Sequence, residues 1–128
     1  NNGKIHNIKC ENSKFNYEWI GGVVGINSGI LTNSYNRGNV ENNNIKQYIR
    51  IGSIAGVNTA TLDNCYFLKD TINTSLDDNT IIMSLGTQMD EQEMKNNNFI
   101  TKLNESNADI WKSDTNNNND SYPILYWQ

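Results

Sequence analysis

The sequence predicts a mainly β chain: a short right-handed parallel β-helix of two to three coils, closed at its C-terminal end by one short helix and a β-hairpin. Three observations predict it. A sixteen-residue stretch occurs twice, 31 residues apart, and a degraded copy of its second half stands near the N-terminus. The last third then changes character, from glycine-broken apolar stretches to a helix-start signal and aromatic segments.

Residues 20–35 align with residues 51–66. The pairs Ile20/Ile51, Gly21/Gly52, Gly25/Gly56, Asn27/Asn58, Leu31/Leu62, Asn33/Asn64 and Tyr35/Tyr66 are identical. A fixed period of this size marks a solenoid, in which each unit buries its apolar face only against its neighbours. Stretches 19–26 and 49–57 are β-prone and broken by glycines that permit tight corners. Asn27-Ser28-Gly29 and Asn58-Thr59-Ala60 read as turns, followed by second strands over 30–35 and 61–67. Near the start, Gly3-Lys4-Ile5-His6-Asn7 matches Gly29-Ile30-Leu31-Thr32-Asn33. Stacking then sets Ile5, Leu31 and Leu62 in one column and Asn7, Asn33 and Asn64 in another, where side-chain amides can bond along the stack. The period is too short for a βαβ unit and fits about three short strands per turn. Leu31 is expected in the central column, where truncation to alanine costs roughly 2–5 kcal/mol.

The C-terminal region opens on Asp90-Glu91-Gln92-Glu93, an N-cap with a capping-box acid three residues on. A short helix is expected from about 90 to 97, resuming through Leu103, with Met94 and Leu103 facing a core. Strands at 110–112 and 122–127 flank the polar loop 113–121. Residues 1–71 are thus read as coils and 72–128 as the cap of one domain. Its purpose is to block strand addition at the end of the stack, with Trp111, Tyr122 and Trp127 as the seal.

Composition agrees. At 128 residues the chain is of single-domain size, and with 36% hydrophobic residues and a mean hydropathy of −0.69 its core must be economical. The net charge is −4 and the two arginines, Arg37 and Arg50, form no basic stripe, which argues against nucleic acid as a partner. No apolar run approaches the roughly 18 residues of a membrane span. The chain starts in mid-pattern at Asn1-Asn2-Gly3 and reads as a fragment without a signal peptide. Twenty-five asparagines suit a fold of many turns, although low-GC coding also produces such runs. Cys10 and Cys65 define no disulfide framework. Lying about two coils apart, roughly 10 Å at sheet spacing, they are expected to be free thiols.

The run Gly21-Gly22-Val23-Val24-Gly25-Ile26-Asn27-Ser28-Gly29, with Asn33-Ser34-Tyr35 and Gly38-Asn39-Val40, resembles the GLUG repeat of bacterial surface proteins. The second copy departs from it at Ser53, Ala60 and Lys69-Asp70. The stretch 86–95, together with Trp111 and Tyr122-Pro123-Ile124-Leu125-Tyr126-Trp127, resembles the segment that closes such arrays. The resemblance implies a secreted or wall-attached bacterial β-solenoid, of an adhesin or, outside its catalytic part, of an IgA-protease-type metallopeptidase. Its partners would be neighbouring coils and a host surface protein or glycan.

No residue pattern specifies catalysis. His6 is the single histidine, so neither a His-Glu-x-x-His zinc site nor a histidine-based nucleophile is available elsewhere. Arg37 and Arg50, with Glu41 and Asp63, are read as surface charges rather than as a polysaccharide-cleaving face. Asp114, Asn116, Asn118 and Asp120 alternate oxygen ligands like the first half of an EF-hand loop. The glycine and the final acid of that loop are missing, at Asn119 and Leu125, and a flexible hairpin tip is the expected structure. No cofactor or metal is assigned. The aromatic residues, Trp19, Tyr35, Tyr48 and Tyr66 among them, belong either to the core and cap or to a sugar-stacking face.

Overall fold

Short strands recur in fixed order along the chain, and the first four pair with the four that follow them. The computed structural model describes residues 17–42, 48–74, 78–105 and 110–128. The expected column members Ile5 and Asn7, with His6 and Cys10, lie outside the described residues. The first unit holds β1 (Tyr17–Gly21), β2 (Val24–Asn27), β3 (Ile30–Asn36) and β4 (Val40–Asn42). The second holds β5 (Tyr48–Gly52), β6 (Ala55–Asn58), β7 (Thr61–Leu68) and β8 (Ile72–Thr74), and a third begins with β9 (Thr80–Met83) and β10 (Thr87–Met89). All pairings among these strands are parallel, giving the orders β1-β5-β9, β3-β7-β10, β2-β6 and β4-β8. Partners such as Ile20, Ile51 and Ile82 are 31 residues apart, whereas Tyr66 meets Thr87 after only 21. The third unit is therefore a shortcut.

Four strands form each of the first two units, where about three per turn were expected. Each first predicted strand is split at its glycine. A Cβ on Gly21 would lie 2.0 Å from the Val24 carbonyl oxygen, and one on Gly52 2.1 Å from that of Ala55. Corners this tight exclude any side chain.

Alternation along β1 and β5 follows the two-residue period of a strand. Ile20, Ile49 and Ile51 point inward and are buried with Val40, against Ile72. Trp19, Tyr48 and Arg50 point outward and are exposed. A second interior cluster joins Ile54, Ala55 and Cys65, with Leu31, Leu62 and Phe67 packed on its margin. Leu31 pairs with Leu62 in register but is only half-buried, not central. Its truncation is accordingly expected to cost about 1–2 kcal/mol, below the range for full burial.

In β3 and β7 the alternation slips by one residue. Asn33 and Asn64 adopt φ of 51° and 48°, the left-handed region that asparagine tolerates best among residues with a side chain. The slip turns Tyr35 and Tyr66 away from the interior, and the C-terminal region packs on them. It comprises two helices, α1 (Glu91–Met94) and α2 (Asn97–Asn104), and the antiparallel pair β11 (Trp111–Lys112) and β12 (Ile124–Leu125). The Asp90/Glu93 capping box forms as expected. The helix expected to resume through Leu103 does so as a separate α2, because Asn96 is itself an N-cap, its side chain accepting from the Asn98 N–H. Met94, Phe99, Leu103, Trp111 and Tyr122 are buried with Tyr35 and Met89, against Tyr66 and Leu68.

These contacts come from β3, β7 and β10, the three strands of one sheet. The C-terminal region thus covers a side of the stack, where an end closure was expected. Trp127, expected in the seal, is 74% exposed, because β12 is two residues long and the chain turns back through the Gln128 N–H to the Leu125 carbonyl.

Candidate functional site

The outward faces of β1, β5 and β9 form a groove of about 490 Å³ lined by Trp19, Tyr48, Arg50, Val57, Asn79 and Ile81. Strand alternation places them: Trp19, Arg50 and Ile81 occupy one register row, and Tyr48 stands two residues before Arg50. Trp19 is 44% exposed, Tyr48 58% and Ile81 52%, so aromatic and aliphatic surface is held open beside a guanidinium. Trp19 and Tyr48 are exposed, whereas Tyr35 is buried. Tyr66 is half-buried beneath the helices.

The repeated asparagines bond from unit to unit. Asn27 Nδ2 donates to Asn58 Oδ1 at 2.7 Å and to the Thr61 carbonyl at 2.7 Å, while its Oδ1 accepts from the Gly29 N–H. Asn64 Nδ2 donates to Asn33 Oδ1 at 2.6 Å and to the Lys102 carbonyl at 2.6 Å. The second of these amide pairs also fastens α2 to the sheet. Gly25 and Gly56 lie against neighbouring backbone, where a Cβ would come within 2.8 Å of the Trp19 carbonyl oxygen and 2.6 Å of the Ile20 nitrogen.

The calcium candidates have other duties. Asp114 Oδ1 accepts from the Asn118 N–H, and its Oδ2 from those of Asn119 and Ser121. Burial alone would raise the Asp114 carboxyl, but these three donors outweigh it and hold it below its usual value. Asp120 accepts from Arg37 Nη1 at 2.9 Å. Asn116 and Asn118 are exposed. The two carboxylates are directed at donors of the chain, and no three His, Cys, Asp or Glu side chains converge among the described residues. The 113–121 loop is a clasp rather than a flexible tip.

Arg37 corrects the expectation of a surface charge. Its side chain is 9% exposed, lies 4.6 Å over the Tyr122 ring, and donates through Nη2 to Asn119 Oδ1 at 2.9 Å. Asn119 Nδ2 in turn donates to the Tyr35 hydroxyl, which donates to the Pro123 carbonyl at 2.7 Å. The sequence signal for this clasp was present in Asp114 and Asp120, but it resembled a cation loop because acceptors alone do not reveal their donors. Arg50 remains exposed in the groove. Cys65 is a free thiol, buried, donating to the Asp63 carbonyl, and burial pushes its pKa up, away from a reactive thiolate.

No helix among the described residues is long and apolar enough to cross a membrane. Comparison with protein-family models, with curated proteins and with solved structures found no match to this chain.

Proposed function

We propose that this chain is a non-enzymatic structural and adhesive module: a short right-handed parallel β-helix belonging to a secreted or wall-attached bacterial surface protein, as its GLUG-like repeat implies. The observation that carries the reading is the in-register parallel stacking of units 31 residues apart, tied by the Asn27–Asn58 and Asn33–Asn64 side-chain bonds. Such units bury apolar surface against one another and extend a protein along one axis. Brief trypsin treatment of intact cells of the source bacterium is expected to release peptides of this chain. Recovery only after lysis would overturn the surface placement.

The groove favours a second reading, carbohydrate binding, since the partly exposed Trp19 and Tyr48 line it together with Arg50. On a glycan array the chain is expected to give a signal that a Trp19→Ala, Tyr48→Ala double variant loses. A blank array for the unaltered chain would sink the sugar reading and leave the structural one standing.

A further inference from the structure

The fold treats its two arginines differently. The guanidinium of Arg37 is engaged by Asp120, Asn119 and the Tyr122 ring, and its side chain is 9% exposed. Arg50 is exposed and, among the described residues, makes no ion pair. It is the one charged residue among those lining the groove on β1, β5 and β9. The chain carries a net charge of −4, yet no carboxylate lines that wall.

Register fixes where this cation stands. Trp19, Arg50 and Ile81 follow one another across three parallel strands, at a spacing of about 4.8 Å. The guanidinium therefore has an indole on one side and an aliphatic side chain on the other, and both are about half exposed. A ligand lying across this row covers Arg50 together with its apolar neighbours. Taking a guanidinium out of water is costly unless a counter-charge comes with the ligand. A neutral sugar returns only hydrogen bonds, whereas a carboxylate accepts two parallel N–H bonds from the planar fork and brings the charge as well. One cation answers one anion, unlike the many contacts that a nucleic-acid backbone requires. The volume of about 490 Å³ falls among small-ligand sites, roughly 300–1,000 Å³.

We propose that the groove binds an acidic glycan, through a sugar unit whose ring carries a carboxylate. The carboxylate pairs with Arg50, and the apolar face of the ring rests against Trp19. Arg50 then selects the ligand by charge, and Trp19, with Ile81 on the far side of the row, supplies the apolar contact. The proposal rests on the carbohydrate reading of the groove and names its ligand class. It needs neither Tyr48 nor Asn79 as a donor.

An array of glucuronate, galacturonate and sialate oligosaccharides, each beside its carboxyl methyl ester and with neutral oligosaccharides included, tests it on the full chain. Esterification removes the charge and keeps the ring. The expected result is a signal from free acids that their esters and the neutral sugars do not give. In calorimetry with the strongest acid, Arg50→Gln is expected to weaken binding about tenfold or more, and Arg50→Lys, which keeps the charge without the fork, by less. Circular dichroism checks that the variants are folded, and the ester comparison requires no variant at all. Equal signals from acids and esters, or an Arg50→Gln variant that binds as the unaltered chain does, would overturn the acidic assignment and leave the sugar reading standing. A blank array, whether or not a glutamate-rich peptide binds, would overturn both.

Discussion

Replacing Tyr35 with alanine is expected to destabilise the protein by about 4–5 kcal/mol, the upper range for truncating a buried aromatic. Tyr35 is 2% exposed and belongs to the cluster that joins the sheet to the C-terminal region. Its ring lies 5.6 Å from Phe99 edge-on, 5.3 Å from Trp111 and 6.5 Å from Tyr122 in a stacked arrangement. Pairs of this kind add about 0.5–1.5 kcal/mol each beyond area burial, though not additively in one cluster. The hydroxyl also joins the Pro123 carbonyl to Asn119. Removal would leave that carbonyl and the Arg37 clasp without their common support. Denaturant unfolding followed by near-ultraviolet circular dichroism measures the cost. A loss below about 2 kcal/mol would mean that the C-terminal region is held mainly elsewhere.

The same residue confers an alkaline limit. Burial pushes the Tyr35 hydroxyl from 10.0 up to about 12, partly opposed by the Asn119 hydrogen bond. The folded state thus keeps a proton that the unfolded chain releases first. The stability contributed is present below pH 10 and is lost as pH rises through about 12, a span worth roughly 2–3 kcal/mol. Tyr35→Phe forfeits the two hydrogen bonds but should show a flatter stability profile over that interval.

Much of this was legible because repetition amplifies weak signals. Asn33 and Asn64 recur at one spacing, so their shared column followed from alignment alone, and the amide bond between them follows from stacking. The slip they impose was not legible. A left-handed φ leaves no trace in hydrophobic pattern, yet it sends Leu31 and Ser34 to one side and Tyr35 to the other. Without it, Tyr35 reads as an ordinary member of a strand and the helical region as an end cap. Arg37 was misread for a related reason: its charge looks solvated until Asp120, Asn119 and Tyr122, more than eighty residues away, are placed around it. Long-range polar closure depends on where the chain returns, which no local spacing encodes.

The isoleucine column separates position from identity. Ile51→Ala is expected to cost about 3–4 kcal/mol, since the side chain is fully buried between two neighbours and its loss leaves a cavity in the interior. Ile20→Ala should come close to that value. Ile82→Ala, the same substitution at the same register position, is expected to cost about 1 kcal/mol or less in dilute solution, because 43% of Ile82 already faces solvent and its removal opens no enclosed space. Urea midpoints at constant slope give the comparison directly, since a shift in midpoint alone reports stability. Equal costs at all three positions in dilute protein would mean that Ile82 is covered within the monomer and that the stack does not end at β9.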